Sequence, residues 1–185
     1  MPSRLRVHGG DAGGRRLASP RGIRPSQGVV KEAVFNVLGP AVAGARVLDL
    51  FAGSGALGIE ALSRGAAHAT FVERDAAAAA VIRQNLEALE LAARSTVVRA
   101  EVVRWLERSR AEVAAASVVL LDPPYNDAVL NRALALLDEK ASEGATTVVE
   151  HAPGQAIAPL RRLRPVRERR YGDTAVLVLR AGPTA

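Results

Sequence analysis

The 185-residue chain has no cysteine. That excludes a disulfide framework, a thiolate metal site and any mechanism that needs a cysteine nucleophile. Aromatic residues are scarce, at 3%. Lysine is nearly absent: only Lys31 and Lys140 stand against 23 arginines. No apolar run reaches the roughly 18 residues of a membrane span. Met1 to Arg6 holds no apolar signal-peptide core. These absences lead us to expect a cytoplasmic protein with no membrane contact. The hydrophobic fraction is 49%, but 36 of those residues are alanine. A chain of this length reads as one domain with a short extension. It buries about 70% of its unfolded surface and needs no cross-link.

Positive charge is abundant, and it is unevenly placed. The net charge is +6, with an isoelectric point near 10.8. Residues 1–31 carry +6 and residues 161–170 carry +5, so the rest of the chain is acidic. Two basic segments on an acidic body suggest contact with nucleic acid. A GC-rich genome explains arginine replacing lysine, but not the clustering.

Residues 1–25 stand apart. Arg4-Leu5-Arg6-Val7 alternates as a strand does, Gly9 to Gly14 supplies a turn, and Arg15-Arg16-Leu17 offers a return strand. Ser19 to Pro25 is an irregular connector. This reads as a basic hairpin with little apolar surface, dispensable to the core. Ser26 caps an expected helix over 27–38, which Gly39-Pro40 ends. Strands and helices then alternate. Strands are expected at 46–50, 69–73, 96–99, 118–121 and 145–150. Helices are expected at 56–64, 75–89, 102–112 and 127–139. A hairpin around Gly172-Asp173 joins 164–171 to 174–180. The alternation predicts a mostly parallel α/β sheet covered on both faces, with the final hairpin adding antiparallel strands at one edge.

Asp49-Leu50-Phe51-Ala52-Gly53-Ser54-Gly55-Ala56-Leu57-Gly58 follows the first strand and opens a helix. Glycines there let the backbone turn sharply and approach a ligand closely. The spacing also fits a dinucleotide fingerprint, with Glu73 twenty residues after Gly53. Asp49 opposes that reading, because a pyrophosphate would add negative charge beside it. S-adenosylmethionine is the better ligand: its ammonium pairs with Asp49, Glu73 accepts from both ribose hydroxyls, and Glu101 lies near the adenine edge. Phe51, Ala52, Gly53, Ser54 and Gly55 would line this cofactor, joined by Arg74 and Val102 beside the two glutamates. Binding at strand carboxyl ends, near a reversal of strand order, suits an open α/β sheet.

Asp122-Pro123-Pro124-Tyr125 follows the fourth strand. The prolines fix φ and lack N–H groups, so this stiff turn offers only acceptors, the Asp122 carboxylate and the Pro123 carbonyl. Tyr125 adds a flat face. Together they suit a planar base with an exocyclic amine. Asp122 stabilises the charge that develops on the amine nitrogen and is placed to take its proton.

With these residues in hand, the sequence resembles the RsmD-type 16S rRNA guanine-N2 methyltransferases of bacteria over nearly its whole length. The more specific marks are Arg6-Val7-His8-Gly9-Gly10, Gly14 to Leu17, Gly22 to Ser26, Lys31 to Leu38 and Glu60 to Ala66. The glycine loop and Asp-Pro-Pro-Tyr are shared with many amino-methyltransferases. The resemblance implies a Rossmann-like class I methyltransferase sheet over 26–185, with a small N-terminal hairpin extension at 1–25. It implies methylation of guanine N2, at guanine 966, by a monomer acting on the assembling or assembled small subunit without a metal. An adenine-N6 methyltransferase of DNA or RNA uses the same turn and is the alternative. Arg4, Arg6, His8, Arg15, Arg16 and Arg24 are the expected RNA contacts. Family members usually read Arg-Pro-Thr and then an arginine-containing turn; Ser26-Gln27-Gly28 departs from that.

Smaller signals remain open. Trp105 sits at core spacing. His151 ends a strand and faces either substrate or solvent. The arginines at 161–170 hold phosphate or form a solvated edge.

Overall fold

The computed structural model describes residues 5–20, 28–124 and 127–183. Seven strands form one sheet: β1 Arg46–Leu50, β2 His68–Glu73, β3 Ser95–Arg99, β4 Val118–Leu121, β5 Thr146–His151, β6 Leu163–Tyr171 and β7 Thr174–Ala181. Their order is β3-β2-β1-β4-β5-β7-β6. The first five are parallel, and β7 and β6 close one edge antiparallel. Strand order reverses between β1 and β4, where crossovers on either side diverge and leave a crevice.

Six helices cover the sheet: α1 Gly28–Leu38, α2 Ala56–Ser63, α3 Ala76–Ala88, α4 Val102–Arg108, α5 Arg110–Ala115 and α6 Asp127–Lys140. Alternate strand residues feed two cores. Val47, Phe71, Leu120, Val148 and Val176 pack with Val34 of α1, Ile59 of α2 and Ile82 of α3. Leu48, Val72, Leu121, Val149 and Leu177 pack with Leu106, Val113 and Leu134 of α4, α5 and α6. The single helix expected at 102–112 is broken at Ser109, whose ψ of 51° leaves the helical region. Trp105 packs half-buried against the second core.

The expectation that the N-terminal segment is dispensable to the core is corrected. It does form a hairpin: Val7 N–H donates to Arg15, Gly14 to Val7 and Leu17 to Leu5. Its few apolar residues, Val7, Ala12 and Leu17, are all buried in the core beside α1 to α3. Polar ties are denser still. The fully buried Glu60 of α2 accepts the His8 and Gly9 N–H groups at 2.8 Å each, and pairs with Lys31 Nζ at 3.0 Å and Arg64 Nε at 2.8 Å. Lys31 Nζ also donates to the Arg6 carbonyl. Ala12 N–H donates to Ser63 Oγ, and Ala18 N–H to Asn85 Oδ1 of α3. The hairpin lies so close that a Cβ at Gly10, whose φ is +74°, would sit 1.8 Å from the Ser63 carbonyl. The segment is an integral strap.

Removing residues 1–22 should therefore unfold or strongly destabilise the protein. It strips Glu60 of two donors and uncovers an ion pair whose partners are 1% and 0% exposed. Loss of one partner from a buried pair costs about 3–5 kcal/mol. Glu60→Ala should show the same loss in the intact chain by chemical denaturation. A truncated chain melting as cooperatively and as high as the full chain contradicts this account.

Candidate active site

Four carboxylates meet on one face at the carboxyl ends of four adjacent strands. By strand alternation Glu73 of β2, Asp49 of β1, Asp122 just after β4 and Glu150 of β5 all face the α1–α3 side. Register places Leu121 opposite Val149, so Asp122 is level with Glu150.

Asp49 lies beneath the glycine loop. Its Oδ2 accepts the Gly58 N–H at 2.8 Å, and the residue is 1% exposed. That satisfies one of the free donors at the start of α2. Through Oδ2 the carboxylate holds the loop from below. Gly58 has a matching reason to lack a side chain: a Cβ there would lie 2.3 Å from the Phe71 ring and 2.9 Å from Asp49 Oδ2. Glu73 holds the loop from the side. Its Oε2 accepts from Gly53 N–H and its Oε1 from Asp75 N–H, both at 2.8 Å. Phe51 has φ +61°, rare for an aromatic residue and characteristic of a backbone set by its surroundings. Its ring packs partly against the second core. Ala52, Ser54 and Gly55 are buried in the turn, and Asn85 Nδ2 reaches the Ser54 carbonyl at 3.4 Å.

Glu101 has a role that spacing alone did not indicate. It caps α4, accepting from the Val103 and Arg104 N–H groups at 3.1 and 2.8 Å. Arg74 is exposed beside Glu73. Val102 is buried and belongs to the second core. Pro123 is buried, whereas Tyr125 lies outside the described residues. Among the expected RNA contacts, Arg6 and Arg16 are exposed, and Arg15 donates to the Ala88 carbonyl at the end of α3. His8 is exposed, with its backbone held by Glu60. Arg4 and Arg24 lie outside the described residues, as do Ser26 and Gln27.

Glu150 was read only as the end of a strand. It is buried, and its Oε1 has no hydrogen-bond partner. The signal was its parity: it ends a strand as Glu73 does, but only the register shows that it lies beside Asp122. His151 is also buried, with Nε2 3.4 Å from Glu168 Oε1.

Burial, with neighbouring carboxylates adding to it, raises the proton affinity of two of these acids. Burial pushes Asp49 up to about 8 against the Gly58 hydrogen bond, with help from the Asp122 and Glu73 charges. Burial, then Asp122 and Asp49, also raises Glu150 well above the ordinary carboxyl range. A neighbouring cation would stabilise every one of these groups, and a pyrophosphate none.

A folded-state pKa above the unfolded value means that the native state binds the proton more tightly. Stability is then full at low pH and falls as pH rises toward the folded value. Asp49→Asn keeps an oxygen for the Gly58 N–H but does not titrate. Its melting temperature relative to wild type should climb between about pH 5 and pH 8. A difference that stays flat across that range rejects the raised pKa.

Comparisons with known proteins agree with this architecture. The family model described as "Conserved hypothetical protein 95" matches residues 5–180. YlbH of Bacillus subtilis (strain 168) is 42% identical over 151 residues, covering 80% of this chain and 82% of YlbH. Ribosomal RNA small subunit methyltransferase D of Escherichia coli (strain K12) is 39% identical over 137 residues, covering 73% of this chain and 67% of that protein. The solved structure of yhhF from Escherichia coli superposes with a TM-score of 0.87 at 32% identity, covering 97% of this chain and 98% of that one. A model match spanning nearly the whole chain, joined to relatives at this identity, establishes that the protein belongs to the RsmD-type methyltransferase family.

Proposed function

We propose that the protein transfers a methyl group from S-adenosylmethionine to the exocyclic N2 of a guanine in 16S rRNA of the small ribosomal subunit, guanine 966 by family resemblance. The observation that carries the reading is the acceptor-only turn at Asp122-Pro123, set in a rim of four buried or half-buried acids next to a glycine loop. The named relative supports the substrate class: it is a small-subunit rRNA methyltransferase. The residues fit a cationic cofactor on physical grounds, because burial and neighbouring carboxylates disfavour the charged forms of Asp49 and Glu150, and a positive ligand offsets that cost.

When bound, S-adenosylmethionine supplies an electrophilic methyl on a sulfonium. The protein does the rest by position. The glycine loop, held by Asp49 and Glu73, fixes the crevice floor. The Asp122 carboxylate and Pro123 carbonyl accept the two N–H bonds of the amine. That draws the nitrogen lone pair out of the ring plane toward the methyl carbon. Asp122 would stabilise the positive charge that develops on the nitrogen and receive its proton.

Asp122→Ala should lower turnover about 10²–10³-fold with little change in cofactor affinity. Glu73→Ala should weaken S-adenosylmethionine binding roughly 10- to 150-fold, through lost charged hydrogen bonds and a freed loop. Mass spectrometry of rRNA from cells lacking the gene, with and without the purified enzyme, identifies the base. N2-methylguanine restored by the enzyme supports the reading. N6-methyladenine, or near wild-type turnover by Asp122→Ala, overturns it.

A further inference from the structure

A groove of about 390 Å³ runs between α1 and the edge strand β6, lined by Val29, Glu32 and Asn36 on one wall and Arg167, Arg169 and Tyr171 on the other. Its volume is that of a small-ligand cleft. Arg167, Arg169 and Tyr171 alternate along β6 and so share one face. Arg167 and Arg169 are exposed, and their side chains form no ion pair or hydrogen bond with the described residues. Tyr171 is half-buried against the core. Val29, at 65% exposure, presents an apolar surface opposite.

Register ties this groove to the catalytic turn. Asp122 is level with Glu150, Glu150 pairs with Val176, and Val176 pairs with Arg169. Val176 belongs to the α1-side core, so the whole row lies on one face. Three strand spacings of about 4.8 Å separate its ends, roughly 14 Å in all. Charge on an edge strand also guards against unwanted pairing. That purpose needs neither a single sign nor an aromatic ring in line with the arginines.

We propose that the α1–β6 groove holds single-stranded RNA flanking the target base, with Arg167 and Arg169 on phosphates and Tyr171 stacked on a base. Glu32 on the far wall repels phosphate, so the backbone follows β6 and the bases turn toward Val29 and Asn36. The assignment rests on the rRNA reading above.

The test is small-subunit binding against salt concentration for the full chain. Arg167→Gln with Arg169→Gln should reduce the slope of log K against log salt by about 1.4, at about 0.7 per single-strand phosphate contact. Tyr171→Leu should weaken binding roughly 5- to 150-fold, the range for one lost stacking contact. S-adenosylmethionine affinity and melting temperature should stay at wild-type values in both. Arg104→Gln with Arg108→Gln removes the same charge from α4 on the opposite face and should leave the slope unchanged. An unaltered slope in the groove variant, or an equal drop in the α4 control, overturns the groove while wild-type methylation leaves the enzymatic reading standing. If wild-type protein neither binds nor methylates subunits, the functional reading falls and the groove with it.

Discussion

Glu60 joins three parts of the chain through one buried carboxylate. Burial alone would raise its pKa, but the His8 N–H, the Lys31 ammonium and the Arg64 guanidinium hold it below the usual carboxyl range. The Lys31 pKa is lowered as well, its own burial outweighing the pull of Glu60. The ammonium therefore stays charged only while the carboxylate and the Arg6 carbonyl surround it. An apolar cluster of equal volume would be as stable or more so, as buried ion pairs seldom repay their desolvation. What such a cluster lacks is direction. Glu60 accepts two successive backbone N–H groups of the strap, so it fixes register as well as proximity. Through Lys31 it also fixes the start of α1, one wall of the basic groove.

The active crevice depends on the same kind of constraint. Apolar packing settles which face of each strand is inside, and it brings β1 and β4 together at the reversal. It does not shape a loop. Asp49 and Glu73 do that, each accepting a backbone N–H of the turn or of the helix it opens. Burial makes the Asp49 carboxylate costly as an anion. A positive ligand beside it offsets that cost and a pyrophosphate adds to it, which favours a sulfonium over a dinucleotide.

Much of this was legible in the residues. Apolar runs such as Val118 to Leu121 marked the parallel strands, Gly39-Pro40 marked the end of α1, and Gly172-Asp173 marked the turn between β6 and β7. What escaped is long-range. Val7, Ala12 and Leu17 are too few and too widely spaced among arginines to announce a buried face. Glu60, mid-helix and next to Arg64, resembles an ordinary exposed pair until the fold puts the strap over it. Glu150 needed the β4–β5 register before it could be set beside Asp122. Glu101 showed the opposite problem: a position chosen for a ligand also satisfies the start of a helix.

Asn85 shows how the strap and the cofactor loop come to act together. Its amide accepts the Ala18 N–H and donates to the Ala18 carbonyl, and the same Nδ2 reaches the Ser54 carbonyl within the glycine loop. One side chain on α3 therefore sets the position of the basic strap relative to the methyl-donor site. Glu60 does the same from α2, the helix that the loop opens. Any displacement of the strap is carried to α2 and α3, whose first turns flank the glycine loop. Hydrophobic burial is non-directional and would let these parts slide. The buried polar contacts forbid that, so the strap, the glycine loop and the helices between them keep a fixed register.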